Sequence, residues 1–219
     1  MTKWAPAKMD TLDALAAEIL QNNGRGRVIV AVDGVDAAGK SYFGDALADA
    51  LRRAGHAVVR ASVDGFHKPR ALRYARGKDS PEGFYRDSYD YETLRRVLID
   101  PFTDGGTGSF VLEAFDHRRD APIEPKWVTG KPDTILVLDG IFLHRPELRG
   151  LWNYSIWLDV DPTVASQRAL ARDGESGIGD RYTKGQALYV KDAKPRTAAN
   201  AIIDNNDFEH PRRVFADSC

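Results

Sequence analysis

The residues whose types and spacing are most informative lie between Gly34 and Ser41, in the stretch AVDGVDAAGKSYF. Their order, G-x-x-x-x-G-K-S, is that of a loop that cradles phosphate groups. Glycine lets the backbone turn tightly enough to aim successive N–H groups at phosphate oxygens, and the positive end of the following helix adds to the attraction. Lys40 would reach the β- and γ-phosphates, and the Ser41 hydroxyl would bind Mg²⁺. The spacing therefore predicts a site for a nucleoside triphosphate.

An acidic residue, Asp36, stands in the middle of this anion site. Because backbone amides make the phosphate contacts, a carboxylate here can point toward a phosphate acceptor or toward solvent. We expect the nucleotide to contact the whole loop and the tyrosine after it, which are Gly34, Val35, Asp36, Ala37, Ala38, Gly39, Lys40, Ser41 and Tyr42.

The composition is that of an ordinary folded protein. The chain has 219 residues, of which 42% are hydrophobic and 29% charged, and its formal net charge is −1. This balance gives no sign of nucleic acid or a membrane surface as a partner. The single cysteine, Cys219, excludes a disulfide within the chain, and no apolar run is long enough for a signal peptide or a membrane span. We expect one cytoplasmic domain over residues 1–219 that acts on a small molecule, and a homo-oligomer is compatible with this expectation.

Apolar strands and helices alternate along the chain. Patterns typical of buried strands lie at 27–32, 56–64, 134–140, 154–160 and 199–207. Helical patterns lie at 10–21, from the phosphate loop to about Arg53, at 91–99 before Pro101, and at 162–172. Residues 106–116 are predicted to form an edge strand or a hairpin. The alternation predicts an α/β fold in which helices cover both faces of a parallel sheet.

Three polar segments follow predicted strands, at 34–41, 64–67 and 139–140. Ligands of a parallel sheet bind beyond the carboxyl ends of its strands, so we expect these segments to meet in one crevice. Phosphoryl transfer needs charge neutralisation and a carboxylate that orients and deprotonates the attacking hydroxyl. Asp64 is the candidate base, and Lys40 is the candidate for charge neutralisation. Candidate ligands of Mg²⁺ are Ser41, Asp64 and Asp139, although either aspartate could instead be a turn or helix-cap residue.

The motifs after the loop resemble those of the uridine kinase and phosphoribulokinase superfamily of P-loop small-molecule kinases. The similarity runs from about Val28 to Arg213 and rests on SVDGFHKPR (62–70), YRDSYDYETL (85–94), FDHRRD (115–120), LVLDGIFL (136–143) and NNDFEHPR (205–212). It is closest to the bacterial proteins called uridine kinase-like. The resemblance implies a P-loop NTPase-type sheet with a small mobile lid, ATP and Mg²⁺ as cofactors, and uridine or cytidine as the first choice of acceptor, phosphorylated on the 5′-hydroxyl.

The resemblance also implies acceptor contacts. Asp64 matches the catalytic aspartate of uridine kinases, and Asp87 falls in the segment that binds ribose hydroxyls there. Uridine kinases usually have glutamate where Asp139 stands, and the shorter side chain favours contact with Mg²⁺ through water. Helix-end charge is the alternative role for Asp87, and surface exposure is the alternative for His117. The residues expected to bind the acceptor are Asp64, Phe66, His67, Asp87, Phe115, His117, Arg172 and Arg181.

A lid is expected at about 168–185. Arg168 and Arg172 are one helical turn apart, and Arg181 follows the glycine-rich stretch DGESGIGD. Arginines in a lid can neutralise charge on the transferred group while closure excludes water. A salt-bridged helix face is the alternative. Arg172 is the catalytic candidate, whereas the residues assigned to the nucleotide from the lid and the last loop are Arg168, Asp207 and His210.

Other functions stay open. A kinase of the same architecture could act on pantothenate or a sugar. A thymidylate-kinase-like enzyme often has an aspartate like Asp36 in its loop but needs a basic clamp after the second strand, which GFHKPR fits only in part. A GTPase would need an N-K-x-D motif, which the sequence lacks. A nucleotide-binding regulator without turnover would tolerate the loss of Asp64.

Overall fold

The structure is a computed structural model that describes residues 6–23, 25–103, 105–174 and 179–215. Cys219 and residues 175–178 of the expected lid lie outside the described residues. The helices are α1 (Lys8–Asn23), α2 (Lys40–Arg53), α3 (Arg70–Arg73), α4 (Pro81–Asp87), α5 (Tyr91–Leu94), α6 (Asp100–Phe102), α7 (Pro162–Asp173), α8 (Asp180–Ala193) and α9 (Pro195–Ala198). None of them is long and apolar enough to cross a membrane. The strands are β1 (Val28–Gly34), β2 (Val58–Ser62), β3 (Ser109–Val111), β4 (Phe115–Asp116), β5 (Ala121–Pro122), β6 (Trp127–Thr129), β7 (Ile135–Asp139), β8 (Tyr154–Asp159), β9 (Ala201–Asp204) and β10 (Arg212–Val214).

Among the described residues, six strands form the main sheet in the order β2-β7-β1-β8-β9-β10. The first five run parallel, and β10 is antiparallel to β9. Every residue of β1 is buried, and its side chains alternate between two cores. Val30 and Val32 lie in the core that contains residues of α1 and α2, whereas Ile29 and Ala31 face a core that contains Tyr85 of α4 and Tyr189 of α8. The expected α/β fold with helices on both faces of the sheet is confirmed.

The carboxyl ends of the central strands lie side by side. Asp139 at the end of β7 is opposite Val32 on one neighbouring strand and Ser62 on the other. The phosphate loop follows β1, and a 3-10 turn at Val63–Phe66 follows β2. The three polar segments therefore converge at one edge of the sheet, and Asp64 lies in the 3-10 turn and not in the strand.

Two predicted elements differ from the structure. The helix predicted at 91–99 is α5 followed by a π-helical turn at Arg95–Ile99, and helical backbone continues through Pro101 in α6. The widened turn changes the hydrogen-bond register just where a proline ring would clash with the carbonyl four residues earlier. Residues 106–116 do not join the main sheet, because β3 pairs with β6 and β4 pairs with β5 in two small antiparallel sheets.

A buried carboxylate, Asp33, connects the end of β1 to two other parts of the chain. Its side chain is fully buried and accepts hydrogen bonds from the backbone N–H of Gly34 at 2.7 Å and of His144 at 3.0 Å. It also accepts from His144 Nδ1 at 2.7 Å and from the Tyr189 hydroxyl. Burial and the charge of Asp33 raise the pKa of Tyr189 far above its usual value, so this hydroxyl stays protonated and donates. Asp33 thus ties the start of the phosphate loop to the segment after β7 and to α8.

Replacing Tyr189 by phenylalanine removes one donor from this buried carboxylate. We expect Tyr189→Phe to lower the free energy of unfolding by about 1.5–3 kcal/mol, the usual contribution of a hydrogen bond to a charged group. Urea unfolding measures the change. The matched control is Tyr42→Phe, whose hydroxyl bonds Glu209 at 3.1 Å on the surface and which should change stability by less than about 0.5 kcal/mol. Equal losses in the two variants would contradict the role assigned to the Asp33 cluster.

Candidate active site

A cleft of about 1010 Å³ lies at the carboxyl edge of the sheet, between the phosphate loop and the helices α7 and α8. It brings together many of the residues that the sequence singled out from distant parts of the chain. These are Asp36, Ala37, Gly39, Lys40, Ser41, Tyr42, Asp64, His67, His117, Asp139, Arg168 and Arg172.

The phosphate loop has the backbone shape that its glycines allow. Gly39 precedes α2 with a φ of +86°, and a Cβ at this position would lie 2.4 Å from the ring of Phe208. Lys40 Nζ donates to the carbonyl of Val35 at 2.8 Å, so its ammonium group already lies over the loop. Gly34 and Ala38 are buried residues of the loop, so they can offer only backbone groups to a phosphate.

Asp36 is held by both helices that flank the cleft. Its two carboxylate oxygens accept from Arg172 Nη2 of α7 at 3.1 and 3.2 Å. Its backbone N–H donates to Gln186 Oε1 of α8 at 2.6 Å. The acid in the anion site is therefore paired with a cation of α7, Arg172. Gln186 has no motif around it that would have predicted this contact.

The strand-end carboxylate lies next to the loop serine. Ser41 Oγ donates to Asp139 Oδ2 at 2.7 Å, which leaves the lone pairs of the serine oxygen directed elsewhere. The other oxygen, Oδ1, accepts from Arg60 Nη2 at 2.8 Å. Among the described residues no cluster of three or more His, Cys, Asp or Glu side chains could hold a metal ion alone.

Asp64 lines the same cleft and has aromatic side chains around it. Tyr89 donates its hydroxyl proton to Asp64 Oδ1 at 2.9 Å. Burial and the charge of Asp64 raise the pKa of Tyr89 well above its usual value, so the tyrosine stays a neutral donor. His67 Nδ1 lies 2.9 Å from the Asp64 carbonyl oxygen and therefore donates to it. The His67 ring stacks on His117, with 4.7 Å between the ring centroids.

The cleft lining also contains three side chains to which no role was assigned from the sequence. Phe84 of α4 and Tyr182 of α8 are in edge contact, with ring centroids 4.9 Å apart, and Ile141 lies with them in the cleft lining. The packing of α4 against α8 brings Phe84 and Tyr182 together. They give the cleft flat, apolar surfaces.

Tyr42 and Phe208 form a second aromatic surface of the cleft. Phe208 lies 5.4 Å from Tyr42 between ring centroids, and the Arg168 guanidinium lies 3.8 Å above the Phe208 ring. Arg168 donates to the carbonyls of Asn205 and Asn206, and burial lowers its pKa. The only sequence signal for Phe208 is that it is the single aromatic residue of NNDFEHPR.

Several predicted site residues lie elsewhere. Phe66 and Phe115 are buried in the protein interior. Asp87, at the end of α4, pairs with Arg76 at 2.7 Å outside the cleft lining. Asp87 is the last residue of this helix, whose buried residues are Gly83 and Tyr85.

Three more predicted residues are also outside the cleft lining. Arg181 donates to the carbonyls of Lys78 and Ser80 at 2.8 and 3.1 Å and so fastens the start of α8 to the loop before α4. Asp207 and His210 bond each other at 2.9 Å on the exposed side of the last loop. The expected contacts of Asp87, Arg181, Asp207 and His210 with ligands stay predictions, and each of these side chains is bonded within the chain.

The chain is similar in sequence to a known kinase. The chain is 26% identical to a uridine kinase of Ligilactobacillus salivarius (strain UCC118) over 154 residues, which are 68% of this chain and 67% of that protein. No protein-family model matches the chain.

Solved structures share the fold. A candidate uridine kinase from Bacillus stearothermophilus matches with a TM-score of 0.70 and 24% identity, over 88% of this chain and 97% of that one. A candidate fructose transport system kinase from Silicibacter sp. TM1040 matches with a TM-score of 0.64 and 24% identity, over 86% and 95%. D-glycerate 3-kinase from Cryptococcus neoformans var. grubii matches with a TM-score of 0.57 and 11% identity, over 93% and 99%. The expected resemblance to uridine kinases and the expected P-loop kinase fold are confirmed.

The partly buried imidazole of His67 should make stability depend on pH. Burial is the largest cause that lowers the pKa of His67 below 6.5; His117 and Arg73 add to it, and Asp64 opposes it. The unfolded chain therefore takes up a proton before the folded one, so stability is full above about pH 6.5 and is lost as the pH falls toward the folded pKa. From about pH 7.5 to about pH 5, we expect the unfolding free energy of the wild type to fall more steeply than that of His67→Asn, by up to about 1.4 kcal/mol per pH unit.

Asparagine keeps a donor near the position of Nδ1, which makes it the matched replacement. Urea unfolding across this pH range measures both proteins. Parallel curves for wild type and variant would show that His67 protonates alike in the folded and unfolded chains.

Proposed function

We propose that this protein transfers the γ-phosphoryl group of ATP to a hydroxyl of a small molecule, and that the acceptor is a nucleoside such as uridine or cytidine. One observation carries the proposal. Asp64, fixed by Tyr89, lies in a single cleft that has a phosphate loop on one side and an aromatic wall on the other. Residues 1–219 would form one domain, with residues 168–185 as its lid.

The donor side of the cleft suits ATP. Backbone amides of the loop and Lys40 would hold the phosphates, and Phe208 offers a surface on which a nucleobase can stack. Ser41 would hold Mg²⁺ directly and Asp139 would hold it through water, as their mutual hydrogen bond of 2.7 Å suggests. When bound, Mg²⁺ would neutralise charge on the β- and γ-phosphates.

The transfer itself would depend on Asp64 and Arg172. The carboxylate of Asp64 would accept the proton of the acceptor hydroxyl as its oxygen attacks the γ-phosphorus and the bond to the leaving ADP oxygen breaks. Tyr89 keeps this carboxylate in one orientation through its 2.9 Å hydrogen bond. Arg172 would leave Asp36 and neutralise the transferred group, since its contact with Asp36 places its guanidinium at the phosphate loop.

The acceptor end favours a planar ring over a polyol. Phe84, Tyr182 and the stacked pair of His67 and His117 present flat faces, which suit a nucleobase. A sugar would need several polar partners for its hydroxyls. Asp87 pairs with Arg76 outside the cleft lining, so its expected ribose contact stays a prediction and a non-nucleoside acceptor is the second candidate. The structural similarity to a candidate fructose transport system kinase supports the same alternative.

The role of Asp64 can be tested by Asp64→Asn, which keeps the shape and removes the base. We expect ATP affinity to stay within a few-fold and turnover to fall by about 10²–10⁴, the usual contribution of a general base. Calorimetric titration and an ADP-release assay measure the two quantities. Asp49→Asn, at an exposed position on α2, is the control and should leave both unchanged. A collapse of nucleotide affinity with little loss of turnover at saturation would make Asp64 a metal ligand instead.

The acceptor can be identified with a panel of uridine, cytidine, 2′-deoxyuridine, pantothenate, fructose and D-glycerate, assayed by ADP release and product analysis. We expect kcat/KM to be highest for uridine or cytidine. Phe84→Leu should lower kcat/KM for that nucleoside by about 5- to 100-fold, because base stacking is lost, while KM for ATP stays unchanged. Preference for a sugar, pantothenate or glycerate would refute the nucleoside assignment and leave the kinase assignment standing. ADP release with no acceptor preferred over water would refute both.

A further inference from the structure

A buried ion pair lies directly behind the phosphate loop. Arg60, in the middle of β2, donates from Nη2 to Asp139 Oδ1 at 2.8 Å, and the Asp139 side chain is only 4% exposed. The same guanidinium donates from Nη1 to the Val137 carbonyl at 2.6 Å and from Nε to Asp45 at 2.9 Å. A charged side chain in the middle of a strand is thus fixed by partners on β7 and α2, and one of its nitrogens is directed at the carboxylate beside Ser41.

The chain makes room for this guanidinium. A Cβ on Gly44, in the second turn of α2, would lie 2.8 Å from Arg60 Nη2 and 3.0 Å from its Cζ. Glycine inside a helix costs stability relative to alanine. Gly44 is buried in α2, and its missing side chain leaves the groove in which Arg60 reaches Asp139.

Both oxygens of Asp139 are therefore occupied, and its charge is balanced. Oδ2 accepts the Ser41 hydroxyl proton, and Oδ1 accepts from Arg60. A carboxylate balanced in this way attracts a divalent cation less than a free one, because the guanidinium charge also repels the cation. It still directs the oxygen of Ser41, since the serine proton is committed to Asp139.

We infer that Arg60 is a positioning residue that weakens the intrinsic attraction of this site for Mg²⁺ and fixes Asp139 as the acceptor of the Ser41 proton. The inference rests on the proposed function. If Arg60 acts in this way, Mg²⁺ enters mainly with the nucleotide. The phosphates then supply the negative charge that the Asp139 carboxylate, paired with Arg60, does not.

Arg60→Met tests this, because methionine keeps a straight apolar side chain in the groove and removes the charge. Binding of a non-hydrolysable ATP analogue is measured by calorimetry at a series of Mg²⁺ concentrations. We expect the Mg²⁺ concentration for half-maximal binding to fall by about tenfold in the variant, since a nearby cation has been removed. In EDTA, urea unfolding should show that Arg60→Met is less stable than the wild type, because Asp139 stays buried without its partner.

The double variant Arg60→Met/Asp139→Asn separates charge from packing. Asparagine can still accept the Ser41 proton, so we expect recovery of part of the lost stability and a half-saturating Mg²⁺ concentration at or above that of the wild type. Arg52→Met is the matched control: Arg52 pairs with Asp49 at 2.8 Å near the far end of α2, and its loss should leave the Mg²⁺ dependence unchanged.

Three results would overturn the inference: a loss of stability in Arg60→Met with no change in Mg²⁺ dependence, the same Mg²⁺ shift in Arg52→Met, or a shift that persists in the double variant. Failure of the wild type to bind the analogue at any Mg²⁺ concentration would instead overturn the proposed function.

Discussion

The fully buried carboxylate of Asp33 is the constraint on which the rest of the site depends. A buried carboxylate is costly unless its lone pairs are all satisfied, and Asp33 accepts four hydrogen bonds from Gly34, His144 and Tyr189. These donors come from the phosphate loop, the segment after β7 and α8. Because no donor can move away without leaving the charge undersatisfied, the three segments are held in one arrangement. The shape of the cleft follows from that arrangement.

The acidic side chains Asp36 and Asp139 of the cleft are each paired with an arginine. Asp36 pairs with Arg172, and Asp139 pairs with Arg60, whereas Lys40 donates to a backbone carbonyl. Asp36, the acid inside the phosphate loop, thus pairs with Arg172, a cation in the segment expected to form the lid. An entering phosphate would have to displace the ion pair of Arg172 and the contact of Lys40 with a backbone carbonyl. It would then be bound by these two cations. Because Arg172 and Lys40 have partners within the protein, the anion site is not strongly charged before a phosphate binds.

Much of this could be predicted from the sequence, because the central strands are continuous apolar runs and the phosphate loop has fixed spacing. Phe208 could not be predicted, since a lone aromatic residue becomes part of a site only through the path of its loop. Asp87 was assigned from its segment, but the pitch of α4 directs it to Arg76. Helix α8 escaped prediction because its buried face is narrow: Tyr189 is buried, whereas its neighbour Leu188 is exposed. The path of a loop, the direction of a side chain and a narrow buried face leave little signal in the sequence.

Helix α8 touches both halves of the cleft. Its Gln186 holds the backbone N–H of Asp36, and its Tyr182 contacts Phe84 in the aromatic wall. Gly185 lies against Phe84 so closely that a Cβ there would be 2.7 Å from the ring, so α4 and α8 have little freedom to slide past each other. A ligand that shifts α8 at one end therefore changes the free energy of binding at the other, and thermodynamic linkage requires this effect to be mutual. Under the proposed function, the two substrates would be bound as a coupled pair, and the affinity for either would depend on the concentration of the other.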